Sequence, residues 1–188
     1  GMPKDRTWLL LANYADVSML RNQITLDLCR EIGLPYSVRC TPADVWINGQ
    51  YLGLYLLTEK IQIKKHRVNI TNLEEAMEKV NPEPLDSFEK SSIKDGPLPF
   101  MRGYDIPNDP EDITGGYLLE LDMEARYNDE LCGFVTDNGQ CVVIKSLEYA
   151  SKDEVEYISD IFNNASKALY SPNGNNELGK HYTDYFDL

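Results

Sequence analysis

Asn48-Gly49 constrains this chain more than any other pair of residues. In "VWINGQYLGLYLLTEKI", residues 45–61, the pair separates two runs of aliphatic, β-branched and aromatic side chains. A two-residue type I′ turn needs positive φ at both central positions, and Asn-Gly adopts that conformation most readily. The stretch is therefore read as a β-hairpin, with Ile47 opposite Gln50, Trp46 opposite Tyr51 and Val45 opposite Leu52. Alternation then puts Val45, Ile47, Leu52, Leu54 and Leu56 on one face, the expected core face. Trp46, Tyr51, Gly53, Tyr55, Leu57 and Glu59 fall on the other. Aromatics, a glycine gap and a terminal carboxylate suit a packed or ligand-facing wall. They equally suit aromatics packed under a helix, with Gly53 relieving a crowded contact.

Around this hairpin the pattern alternates between strand and helix. "TWLLLANYAD" begins as a short apolar strand. Asp16 is a plausible N-cap for a helix running to about Ile32, with Gly33 as its C′ residue. Val17, Leu20, Ile24, Leu28 and Ile32 recur at three- and four-residue steps, the mark of a buried stripe expected to pack on the hairpin. A short helix is expected in "NLEEAMEKV", a strand in "TGGYLLELDM", and a second hairpin from Gly133 to Lys145 turning at Asp137-Asn138-Gly139. "SKDEVEYISDIFNNASKALY" opens with a capping box, Ser151 to Glu154, and carries the stripe Val155, Ile158, Phe162, Ala165 and Leu169. Six of the ten prolines lie within 81–112, which is read as an exposed proline-rich insertion with little regular structure. A linker between two domains is the alternative. The fold class is α+β: antiparallel hairpins with two long helices packed on one side.

The formal charge of −13 excludes a nucleic-acid backbone and an anionic membrane surface as partners, since both want a basic footprint. No apolar run approaches a membrane span, and no signal-peptide pattern occurs at the start. Gly1 before Met2 reads as the scar of a cleaved tag, so an excised piece is expected. Cys132 and Cys141 bracket a hairpin and could face one another, while Cys29 and Cys40 lie near a helix end and the next strand. Four free thiols is the simpler reading, and no CxxC metal spacing exists.

The candidate chemistry rests on few residues. Glu120 and Asp122 share one face of a strand about 6.6 Å apart, a spacing open to a divalent cation or to pairing with Lys and Arg. Lys145 ends the strand "CVVIK" ahead of a Glu-rich helix, the order of a kinase strand lysine and its helix-borne glutamate; an edge lysine is the plainer alternative. "KIQIKKHR" is the only basic cluster, read as a solvated strand and turn. His66 and His181 stand alone, and no phosphate-binding glycine motif is present.

Taken together, "WLLLANYADVSMLRNQITLDLCREIG", "VWINGQYLGLYLLTEKI", "HRVNI" and "GGYLLELD" occur in the order of the CotH family, the spore coat protein H-like atypical protein kinases. The most specific part is Asn48, Gly49, Tyr51, Gly53, Tyr55 and Glu59, followed by Leu20-Arg21-Asn22. The resemblance implies a partial, single kinase-like domain over 1–188, using ATP and a divalent metal to phosphorylate Ser of a protein substrate. It implies an extracellular, cell-surface or spore-coat location, and it places Glu59 where a strand meets the hinge that contacts adenine. The catalytic and metal-binding aspartates are expected beyond Leu188, so no catalytic residue is assigned in this chain. Glu59 and Lys145 are the nucleotide-binding candidates, and Glu120 and Asp122 the weak metal candidates. A non-catalytic coat or surface module and a carbohydrate-associated domain are the competing expectations. A homodimer through Tyr182, Tyr185 and Phe186 is expected from the aromatic tail.

Overall fold

A computed structural model of the chain describes residues 2–94 and 101–186. Gly1 and the middle of the proline-rich stretch therefore lie outside the described residues. The fold is α+β with antiparallel sheets, and it divides into two compact units, Gly1–Ile70 and Thr71–Leu188.

The first unit contains β1 (Trp8–Leu11), α1 (Arg21–Glu31), β2 (Cys40–Ile47) and β3 (Gln50–Glu59). Its sheet has the order β1-β3-β2, so the last strand in sequence is the central one. Asn48 and Gly49 have φ of 50° and 79°, as the hairpin turn requires. Ile47 pairs with Gln50 and Trp46 with Tyr51, but Val45 then pairs with Gly53 rather than with Leu52. One extra residue on β3 forms a β-bulge. Gly53 has a φ of 115° while the space around its missing Cβ is empty. The glycine is thus required by backbone conformation, not by crowding.

The expected core face is only partly realised. Leu56 is 2% exposed, whereas Ile47, Leu52 and Leu54 are each more than 40% exposed. Strand length explains this. β1 pairs only with the segment from Leu56 to Glu59, so the distal half of the hairpin is a two-stranded ribbon. The α1 stripe corrects a second expectation: Leu20, Ile24, Leu28 and Ile32 are all exposed, and the helix buries no residue fully. Gln23, Leu26 and Cys29, half-buried, form its inner side instead. The helix also starts four residues later than expected, because Met19 has a φ of 60°, which no helix accommodates. The N-cap is therefore Leu20 and not Asp16, whose carboxylate instead reaches the Arg21 N–H from the preceding turn at 2.8 Å. Gly33, φ 84°, ends the helix as expected.

The second unit contains α2 (Leu73–Val80), a 3₁₀ turn (Leu85–Ser87), β4 (Lys90–Lys94), β5 (Met101–Tyr104), β6 (Leu118–Asp122), α3 (Glu124–Tyr127), β7 (Gly133–Val135), β8 (Cys141–Ser146), α4 (Lys152–Tyr170) and a last 3₁₀ turn (Tyr182–Asp184). The five strands run in the order β4-β5-β7-β8-β6, antiparallel throughout. Asn72 caps α2, and both halves of the Ser151–Glu154 capping box are formed on α4. Val155 of α4 is fully buried with Phe134, Val142 and Ile144 of the sheet, and Phe162 meets Phe134 edge-on at 5.8 Å. Leu169, the last residue of the stripe, is exposed.

The reading of 81–112 as an exposed insertion with little regular structure is overturned. It contributes two strands, all four residues of β5 are buried, and Leu85 and Ile106 join the core. Among the described residues its prolines fall at 82, 84, 107 and 110, outside the strands, where a missing N–H costs no ladder bond. All four cysteines are free, with Cys132 and Cys141 buried. The tail after α4 returns to the helix: Asn176 donates to the Asn164 carbonyl at 3.2 Å and to the Tyr185 hydroxyl at 2.8 Å.

Candidate functional site

Glu59 ends β3, and it is 1% exposed. An ionised carboxylate so buried needs charge and hydrogen bonds together. Both come from residues 23 or fewer positions away in sequence. The Arg39 N–H donates to Oε2 at 3.1 Å and the Arg39 guanidinium donates to Oε1 at 2.9 Å. Arg67 brings Nη1 within 2.7 Å of the same Oε1, as charge attraction without hydrogen-bond alignment. The Tyr36 hydroxyl lies at 3.5 Å, and burial beside Glu59 pushes its pKa up.

A second layer holds the arginines. Arg67, its side chain fully buried, stacks over the Trp8 ring at 4.9 Å and lies 3.6 Å from Asp5. Asp5 also pairs with Lys64 at 3.3 Å, and its carboxyl falls to about 2, chiefly because the Thr7 N–H donates to it. Arg39 reaches on to the His66 carbonyl at 2.8 Å. The hub thus ties the segment before β1, the entry to β2, the end of β3 and the basic stretch into one polar cluster.

Sequence reasoning picked out Glu59 and missed its partners. Arg67 lay inside "KIQIKKHR", read as solvated, yet Arg67 is buried while Lys64, Lys65 and His66 are exposed. The usable signal was the carboxylate itself: at the inner end of an otherwise apolar strand face it demands cations nearby. Of the aromatics on its face, Trp46 and Tyr51 are exposed, tilted against each other at 5.0 Å, with the Tyr51 hydroxyl donating to Asp44 at 2.9 Å.

The other candidates lie in the second unit. Lys145, near the end of β8, places Nζ 3.1 Å from both oxygens of Glu130 and 3.9 Å from Glu120. Glu154, the glutamate of the following helix, closes the capping box instead. Asp122 accepts from the Met123 N–H at 2.8 Å and lies 3.9 Å from Arg126. Glu120 and Asp122 therefore each face a cation, and among the described residues no three His, Cys, Asp or Glu are grouped to hold a metal. Arg102 went unforeseen. Buried on β5, it donates to the Asn128 carbonyl at 3.0 Å and to the Tyr127 carbonyl, and stacks over the Tyr127 ring at 4.2 Å. It caps the C-terminal end of α3 with a cation, as the helix dipole favours.

Among the described residues no helix is long and apolar enough to cross a membrane. A family model described as CotH kinase protein matches residues 1–188. No curated protein and no solved structure matches the chain.

Proposed function

Because the chain belongs to the CotH kinase family, we propose that it is part of a secreted or spore-coat protein kinase that passes a phosphoryl group from ATP to Ser of a protein substrate. The observation that supports this is the family match along the whole chain. The motif residues Asn48, Gly49, Tyr51, Gly53, Tyr55 and Glu59 gather on one hairpin, and its last residue anchors a charge hub.

The described residues do not fit the divalent metal such a reaction uses. Glu120 and Asp122 are engaged with Lys145 and Arg126, and no third ligand joins them. Glu59 has its carboxylate turned to Arg39 and Arg67, so its role is to hold the strand end in place. Lys145 is the group that remains available to an anionic nucleotide: a partly exposed ammonium on a rigid strand, held by Glu130. In this reading the catalytic and metal-binding aspartates come from another segment of the intact protein. Phosphoryl transfer depends almost wholly on positioning and on metal electrostatics, so residues 1–188 alone do not catalyse it.

A second reading, a non-catalytic coat or surface module, is favoured by the apolar side chains that the hairpin and α1 leave exposed. Phe186, 41% exposed, is the part of the tail left for a second copy. The deciding assay incubates this chain and the intact gene product separately with ATP, Mg²⁺ or Mn²⁺ and a casein-like acceptor. Transfer by the intact product and none by the 188-residue chain is expected. No transfer by the intact product would leave the coat-module reading, and transfer by the chain alone would overturn the division of labour.

A further inference from the structure

Beside the start of α4, two carboxyl groups each bury one oxygen that has no donor. β5 runs into it: the Tyr104 N–H donates to the Ala150 carbonyl at 2.8 Å, and Tyr104 bridges to Ser151. Ser151 closes the capping box, accepting from the Glu154 N–H at 3.2 Å and donating its own N–H to Glu154 Oε2 at 2.8 Å. That leaves Glu154 Oε1, on a residue with no exposed surface, without a partner. Asp109 lies in the segment after β5 and lines a cavity with Tyr104, Ile106 and Ser151. It faces Ser151 across this cavity, and its Oδ1 is likewise buried and unpartnered.

Cations do not resolve this. Lys152, the first residue of the helix, pairs with Asp105 instead. The other groups that feel Glu154 are Asp153 on its own helix, Tyr117 ahead of β6 and Cys132 ahead of β7, none of them basic. Two ionised carboxylates can only accept, and a buried acceptor left unmet costs its full desolvation. A single proton turns one of the pair into a donor.

We propose that Asp109 and Glu154 hold one proton as a pair, and that this proton latches the segment after β5 to the start of α4. Ionisation of both opens the latch. Burial, with the Asp109 charge added to it, pushes Glu154 up to about 7. The folded state therefore binds a proton that the unfolded chain releases near 4.5. Its stabilising effect is complete below that value and is lost as pH rises through about 7.

The test is hydrogen exchange at the Glu154 and Val155 amides of the whole chain between about pH 6 and pH 8. After correction for intrinsic exchange, wild-type protection should fall about tenfold, one pK unit's worth. Glu154→Gln keeps an acceptor for the Ser151 N–H and carries its own donor, so its protection should stay level. Asp109→Asn removes the neighbouring charge, and the midpoint should move to lower pH. A wild type whose protection is level across this range overturns the latch. So does a Glu154→Gln chain with the wild-type slope, or an Asp109→Asn chain whose midpoint does not move.

Discussion

Arg67 bears more of the first unit than its place in a basic run suggests. Its guanidinium is wholly out of water beside the wholly buried Glu59 carboxylate, so removing it strands a negative charge with Arg39 alone. Truncating one member of a buried pair costs about 3–5 kcal/mol, more than replacing both members by apolar groups of similar shape. Arg67→Ala should lower stability by that amount in urea titrations. Glu59→Gln with Arg67→Met should lose much less. Equal losses in the two variants would show that Arg67 acts through packing on Trp8 and not through charge. At this scale the sequence exposed Glu59, because a carboxylate closing an apolar strand face is conspicuous. Arg39 and Arg67 stayed hidden, since which of several basic residues turns inward depends on contacts outside the local run, such as that of Arg39 with Glu59 and that of Arg67 with Trp8. The Asp109–Glu154 pair was hidden for the same reason, although its capping box was legible.

At the scale of elements, the hairpin separates what local chemistry determines from what neighbours determine. The Asn48-Gly49 turn and the Ser151 cap follow from backbone conformation and hydrogen bonding within a few residues, and both were readable. The burial of a strand face depends on what lies beside it. β1 is four residues long and covers only the inner end of β3, which no periodicity could announce. Leu56→Ala should therefore cost about 2–5 kcal/mol, the range for a filled core site. Leu54→Ala, at a residue 43% exposed, should change stability by no more than about 0.5 kcal/mol. The measurement is a pair of denaturant midpoints at unchanged slope. Comparable losses at both positions would mean that the distal ribbon is covered in solution. The two strands found within 81–112 teach the same lesson from the other side: turn-forming prolines mark where strands stop, not that strands are absent.

The whole molecule is electrically divided. Residues 1–70 carry nine Lys or Arg against six Asp or Glu, while residues 71–188 carry nine against 25. Self-repulsion destabilises a compact state of high net charge, and salt screens it over about 10 Å at 0.1 M. Both tryptophans, Trp8 and Trp46, lie in the first unit, whereas the long α4 lies in the second. Added salt should thus raise the melting temperature followed by helical circular dichroism and leave the tryptophan fluorescence midpoint nearly unmoved. A common shift in both signals would show one cooperative unit.

The order β1-β3-β2 also sets a timetable for a chain made from its N-terminus. β1 is complete at Leu11, but the strand it pairs with ends at Glu59, and Arg67 comes later still. At about 5–20 residues per second, the run Trp8-Leu9-Leu10-Leu11 leaves the ribosome about 2–10 s before its partner strand exists. α1 and the β2–β3 turn can form in that interval from local contacts alone. For those seconds the nascent protein displays an unpaired apolar strand, which is the kind of segment that chaperones bind.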